Sequence, residues 1–79
     1  MKEKTLELID WHIKLIKEAY QLNEEKASWQ ESERQKGNKE FLSLYFHTTL
    51  VEFARRRLNS PVHEVSIAAR IIILEEEGA

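Results

Sequence analysis

The spacing of apolar residues in the first third of the chain predicts one long helix. A first apolar row recurs at alternating intervals of three and four residues and consists of Leu6, Ile9, Ile13, Ile16 and Tyr20. Such spacing aligns side chains along one face of an α-helix. A second row lies beside it and consists of Leu8, Trp11, Leu15, Ala19 and Leu22. At 100° per residue the two rows span roughly 200° of the helix circumference, about twice the apolar stripe of an ordinary surface helix.

The last third of the chain is apolar over most of its predicted circumference. One side consists of Val62, Val65, Ala69, Ile72 and Ile73, and another of Ile67, Ile71 and Leu74. A helix with so much apolar surface must be buried on more than one side. Its β-branched residues would also suit a strand, but they do not alternate with polar residues, and Ser60-Pro61 is a typical helix start. We therefore predict a helix.

Few residues interrupt these patterns, since the chain has two glycines and one proline. Gly37 can end the first helix in the left-handed conformation, and Asn38 can cap the second helix. Ser60 and Pro61 end the second helix and begin the third. The sequence thus predicts a single domain, 1–79, with helices at 4–34, 39–58 and 61–76.

The polar segment 23–38 leaves two interpretations open. It is either a helical overhang beyond the bundle or a helix end followed by a long loop. The residue pattern does not decide between them.

The predicted fold class is all-α, a small three-helix bundle chain that assembles as a helical homodimer. A chain of 79 residues without cysteine has a small core and no disulfides, so oligomerisation is the natural additional source of stability. Two short neighbouring helices also cannot easily cover two wide apolar faces within one copy, which would leave an unusually large apolar patch exposed. A monomer with a large partner-binding face and a compact monomer are the alternatives. The residues expected to mediate self-association are Leu8, Trp11, Leu15, Leu22, Ile67, Ile71 and Leu74.

The sequence contains no pattern typical of an enzyme, a cofactor site or a metal site. It has no cysteine and no glycine-rich phosphate loop, and no spacing suggests a nucleophile next to a base. His12, His47 and His63 fall on three different predicted helices, and none has a second ligand at a metal-binding interval. We expect a non-enzymatic protein without cofactor or metal, in which His47 is a hydrogen-bonded and partly buried residue.

Arg55, Arg56 and Arg57 form the one basic cluster of the chain. Consecutive helical residues point 100° apart, so the three side chains cannot form one patch, and Arg57 is expected beside Leu50 and Phe53. Nucleic-acid binding is possible but disfavoured, because the net charge is −2 and the third helix has few polar residues with which to read bases. At the other end, the acidic run 75–77 is expected to be a solvated helix end; the alternatives are that Lys36 and Lys39, or a basic partner, balance its charge.

One face of the predicted second helix interleaves aromatic and charged residues, a composition typical of protein interfaces. This candidate partner-binding face consists of Phe41, Tyr45, Thr48, Glu52, Arg55 and Arg56. The predicted function is that of a small regulator, inhibitor or adaptor that binds a target protein. The alternatives are a dimeric DNA-binding transcriptional regulator of the helix-turn-helix type and a structural assembly subunit.

The longest apolar run, 71–74, is far shorter than the roughly 20 residues that a membrane span needs. The N-terminal residues also lack the pattern of a secretion signal. We expect an intracellular, cytoplasmic protein that does not contact a membrane.

Overall fold

The computed structural model describes residues 3–37 and 45–78. Within these residues it contains three α-helices and no strand: α1 is Glu3–Gln35, α2 is Leu50–Arg55 and α3 is His63–Gly78. The helix α1 is about 50 Å long, at 1.5 Å per residue. It sets the elongated shape of the molecule, which measures 53 × 24 × 18 Å. The predicted all-α class is confirmed for the described residues.

The predicted first helix, 4–34, agrees with α1 to within one residue at each end. The helix ends as expected at Gly37, which has a φ of +89°. A residue with a Cβ atom would be strained in this left-handed conformation, whereas glycine is not. The amide of Gly37 donates to the Arg34 carbonyl at 3.1 Å. The polar residues 23–35 therefore continue the helix, and the loop alternative is wrong for them.

The predicted second helix, 39–58, is wrong in its extent. Residues 45–49 are not helical, α2 covers only Leu50–Arg55, and residues 56–59 form a turn. The part of the prediction at 39–44 lies outside the described residues. Thr49 is the N-cap of α2, with an extended backbone, and its hydroxyl accepts a hydrogen bond from the Glu52 amide at 3.1 Å. The pattern Thr49-x-x-Glu52 has the spacing of a capping box, and this signal would have placed the helix start correctly.

The turn between α2 and α3 is held by two serine hydroxyls. Ser60 accepts a hydrogen bond from the Val62 amide at 3.2 Å, and Ser66 donates to the Leu58 carbonyl at 2.7 Å. The helix α3 begins at His63, two residues later than predicted, and ends two residues later. The prediction that the last third of the chain is a helix and not a strand is confirmed.

The core lies where α3 packs against both α1 and α2. Ala54, Ala68, Ala69 and Ile72 are completely buried there. Ile9, Ile16 and Phe53 complete the buried cluster. Alanine has a small side chain, so α3 can approach its neighbours closely on two sides. The predicted two-sided burial of the third helix is confirmed, whereas Leu6 and Val62, expected in the predicted apolar faces, are exposed.

Phe53 is the aromatic centre of this packing. Its ring contacts the Tyr20 ring edge to face, with 5.7 Å between centroids. The guanidinium of Arg57 lies 3.8 Å from the Phe53 ring centroid, and its Nη1 donates to the Phe53 carbonyl at 2.9 Å. Burial against this ring, together with the charge of Arg56, lowers the pKa of Arg57. The predicted position of Arg57 beside Phe53 is confirmed.

The acidic end of α3 is exposed, as expected, and Lys36 is not among its ion-pair partners. Glu75 lies 3.8 Å from the Lys17 ammonium, and Glu77 accepts a hydrogen bond from Arg55 Nη2 at 2.9 Å. Lys36 instead pairs with Glu33 in α1, and Lys39 lies outside the described residues. These pairs are exposed, and each is expected to contribute at most about 1 kcal/mol to stability.

We expect Ile72→Ala to lower the free energy of unfolding by about 2–5 kcal/mol, because it leaves a cavity where α3 meets α1 and α2. Leu74→Ala is the matched control on the same helix, since Leu74 is 64% exposed. It should change stability by no more than about 0.5 kcal/mol. Urea denaturation followed by circular dichroism measures both effects. Equal losses in the two variants would contradict the packing described here.

Candidate protein-interaction surface

A row of large apolar side chains runs along the outside of α1 at intervals of seven residues. It consists of Leu8, Leu15, Leu22 and Trp29, which are 38%, 37%, 50% and 53% exposed. A seven-residue interval drifts by only about 20° per repeat on a straight helix, so the four residues stay on one side. Trp11, 54% exposed, lies beside the row. We call these five residues the outer face of α1.

The outer face is exposed because α1 uses another side for the core. Ile9 and Ile16 follow Leu8 and Leu15 by one residue each and are buried. One residue rotates the side chain by about 100°, which separates the two rows around the helix. Trp29 was not among the residues predicted for self-association. The seven-residue interval that joins it to Leu22 is the signal that would have included it.

The residues predicted for self-association thus divide into two groups. Leu8, Trp11, Leu15, Leu22 and Leu74 are exposed. Ile67 and Ile71 are half-buried and pack against the core of their own chain. The α1 residues therefore form the stronger candidate surface, and their role in self-association stays a prediction.

A shallow groove adjoins the outer face beside Leu22. It has a volume of about 220 Å³ and is lined by Ala19, Leu22, Asn23, Lys26, Tyr45 and Phe53. Lys26 forms one rim, with its ammonium 5.2 Å from the centroid of the Tyr45 ring. The groove extends the apolar strip sideways from α1 toward the residues before α2.

The extended residues 45–48 lie along the second half of α1 and are held by its polar side chains. The buried Gln30 makes a reciprocal pair with Tyr45: its Nε2 donates to the Tyr45 carbonyl at 2.9 Å, and its Oε1 accepts from the Tyr45 amide at 3.1 Å. Asn23 donates to the Phe46 carbonyl at 3.0 Å. Glu24 accepts from the Thr48 amide at 2.9 Å. The side chains of α1 thus supply hydrogen bonds that a neighbouring strand would otherwise provide, and this part of α1 is not an overhang.

His47 forms ion pairs with two carboxylates of α1. Its Nδ1 lies 2.6 Å from Glu24 Oε2, and its Nε2 lies 3.6 Å from Glu31 Oε2. The hydrogen bond with Glu24 raises the pKa of His47, and the same hydrogen bond lowers the pKa of Glu24. The expectation that His47 is hydrogen-bonded is confirmed. The expectation that it is partly buried on a helix is wrong, because it is exposed on an extended segment.

The predicted partner-binding residues do not share a helix face, because Tyr45 and Thr48 precede α2. Tyr45 is half-buried, and Thr48 donates from its hydroxyl to Glu52 at 2.9 Å. Phe41 lies outside the described residues. Their placement on one helix face is wrong. Whether they contact a partner does not depend on that placement, and the contact stays a prediction.

The three arginines of the basic cluster have different surroundings, as the 100° steps of a helix predict. Arg55 is paired with Glu77, Arg57 packs on Phe53, and Arg56 is exposed. They form no single basic patch.

Over residues 3–37 and 45–78, no group of three or more histidine, cysteine or acidic side chains is arranged to hold a metal ion. None of the helices in these two ranges is both long and apolar enough to cross a membrane.

Comparison with known proteins found no matching protein-family model, no matching curated protein and no matching solved structure. The outer face of α1 is the most distinctive surface of the described residues.

Gln30→Ala should lower the free energy of unfolding by about 1–3 kcal/mol, because it removes both hydrogen bonds to the Tyr45 backbone. Hydrogen exchange of the Tyr45 amide should also become faster. Gln21→Ala, at an exposed position of the same helix, is the control and should leave both measurements nearly unchanged. Unchanged exchange at Tyr45 in the Gln30 variant would contradict the role of this pair.

The His47–Glu24 pair should make stability depend on pH. Because the pKa of His47 is raised above 6.5, its contribution is complete below pH 6.5 and is lost as the pH rises through the raised value. Because the pKa of Glu24 is lowered below 4.5, its contribution is complete above pH 4.5 and is lost as the pH falls through the lowered value. The pair therefore stabilises the fold most between pH 4.5 and pH 6.5.

His47→Gln should accordingly reduce the melting temperature more at about pH 5.5 than at about pH 9. Thermal unfolding of the variant and the wild type at both pH values measures the difference. His63→Gln, an exposed position at the start of α3, controls for the general effect of losing a histidine. The same reduction at both pH values would show that the ion pair does not stabilise the fold.

Proposed function

We propose that this protein is a non-enzymatic helical protein that acts by protein–protein interaction, as a regulator, inhibitor or adaptor of a target protein. The outer face of α1 is its main protein-contact surface. The observation that supports this proposal is the exposure of five large apolar side chains in one strip. The strip extends about 30 Å along the helix from Leu8 to Trp29.

The chemistry of the outer face fits a macromolecular partner. Exposed apolar side chains that line up in a continuous strip are typical of interaction sites rather than of an inert surface. Two of the five are tryptophans, which are enriched among the residues that contribute most to binding. Residues at seven-residue intervals occupy one heptad position, which is one of the two that face the partner helix in a coiled coil. A long convex strip suits a second helix better than a small molecule, which binds in a concave pocket.

Self-association is part of the proposal, in the form of a homodimer that buries the outer face. A homodimer would remove from water the apolar surface that one chain leaves exposed, and it would add stability to a small core. Its remaining surface, which includes the exposed Phe46 and Arg56, would then be available to the target. The intracellular location predicted from the sequence stays a prediction.

The double variant Leu15→Glu/Leu22→Glu should abolish association while the helix content changes little and the melting temperature stays close to that of the dissociated wild type. Both positions are on the outer face, where a charge cannot be buried against a partner without a large cost. Sedimentation velocity detects self-association, and affinity capture followed by mass spectrometry detects other proteins that the chain binds.

The matched control is Gln21→Glu/Ser28→Glu, which adds the same charge at two exposed positions away from the outer face. It should associate like the wild type. If the outer-face variant keeps every interaction of the wild type, the proposal fails. If that variant unfolds, Leu15 and Leu22 belong to the core, and the proposal fails as well.

A further inference from the structure

The interval of seven residues in the outer face determines how two copies of α1 can pair. In an antiparallel pair related by a two-fold axis, each residue faces a residue equally far from the axis on the other chain. If the axis lies midway between Leu15 and Leu22, Leu15 faces Leu22 of the second copy, and Leu8 faces Trp29. This register uses all four residues of the row. If the register shifts by seven residues, Leu8 faces Leu22 of the second copy. Trp29 of each copy then lies beyond the last residue of the other copy's row.

The charges beside the row favour the same arrangement. The N-terminal half of this flank contains Lys14, and the C-terminal half contains Glu25; both are exposed. In the antiparallel register, Lys14 of one copy and Glu25 of the other differ by only about 3 Å along the helix axis. Lys4 and Glu33 face each other at the two ends. The two-fold axis generates each of these opposite-charge pairs twice.

A parallel pair would have the opposite electrostatics. Lys4 and Glu33, which continue the line of the row at its two ends, would each face their own copy and meet a like charge. The flank that contains Lys14 and Glu25 would lie on opposite sides of the pair in the two copies, so the Lys14–Glu25 pairs would not form. In the antiparallel pair, Glu18 lies near the two-fold axis. It is therefore the one of the three flanking charges Lys14, Glu18 and Glu25 that meets its own copy. Charge complementarity therefore selects the antiparallel orientation.

The groove beside Leu22 offers a hollow for a side chain of the second copy. Leu15 of the second copy would lie over Leu22 at the mouth of the groove formed by Ala19, Lys26, Tyr45 and Phe53. A side chain of one helix that enters a hollow beside the other is the geometry of knobs-into-holes packing.

We infer that the outer face of α1 binds the outer face of a second copy of this chain, with the two helices antiparallel and Leu15 against Leu22. The inference rests on the proposed function, since it assigns an occupant to the surface proposed there for protein contact.

Cross-linking tests the orientation directly, because the chain has no cysteine of its own. Lys14→Cys and Glu25→Cys are prepared as separate variants, and each is treated with a short bismaleimide alone and in an equimolar mixture. The mixture should yield a covalent dimer. Each variant alone should not, because two copies of position 14 lie about 13 Å apart along the axis, and two copies of position 25 lie farther apart. Dimers in the separate samples, or no dimer in the mixture, would overturn the inference.

Charge variants test the register in the otherwise intact protein. Glu18→Gln should lower the dimer dissociation constant by about two- to fivefold, because it removes the repulsion at the axis. Lys14→Glu should raise the constant, and the exchange Lys14→Glu/Glu25→Lys should restore it, since the two charges meet each other and not their own copies. A dimer that is indifferent to all three variants would overturn the register.

Sedimentation equilibrium from micromolar to millimolar concentration separates this inference from the proposed function. A wild-type chain that stays monomeric overturns the second copy as the occupant, and with it the homodimer in the proposed function, but not the role of the outer face in binding a target protein. If Leu15→Glu/Leu22→Glu nevertheless loses a captured protein that the control variant retains, the outer face still serves protein contact. If the wild type dimerises and the outer-face variant dimerises equally well, both the inference and the proposed function fail.

Discussion

The structure depends on the close packing of α3 against α1 and α2. Ala54, Ala68 and Ala69 are completely buried at these contacts, and Ile72 fills the space between them. Small side chains on α2 and α3 let the helices approach, and the apolar surface buried there is the main favourable contribution to the fold. Because α3 packs against α1 on one side and α2 on another, little of its apolar surface remains exposed.

The same packing explains why α1 keeps an apolar surface in contact with water. The helix α1 presents the row of Ile9 and Ile16 to the core, and the neighbouring row from Leu8 to Trp29 points elsewhere. The short α2 and the single α3 are not long enough to surround a helix of 33 residues. Among the described residues, the strip is therefore exposed because α2 and α3 pack on another side of α1.

The second half of α1 has a different role, which is to hold the extended residues 45–48. Asn23, Glu24 and Gln30 bind backbone groups there that no helix or sheet satisfies. The bonds of Gln30 and Glu24 are partly buried, where an unpaired backbone group would be costly, so these side chains are structural residues. Their polarity along α1 reflects this contact, although in the sequence it resembled a solvated helix surface.

The sequence by itself determined the features that depend on local patterns: the helical conformation of the apolar part of α1, the turn at Ser60-Pro61 and the two-sided burial of the third helix. Spacing and local conformational preference are enough for these. The sequence left open whether the polar residues 23–35 continue α1, which the structure decided. The tertiary structure decided which of the two apolar rows of α1 faces the core, because both rows are similarly apolar and the choice depends on where α3 packs. It also decided that residues 45–49 are extended, since their hydrogen bonds come from residues 15 to 24 positions away in the chain, beyond the reach of any local pattern.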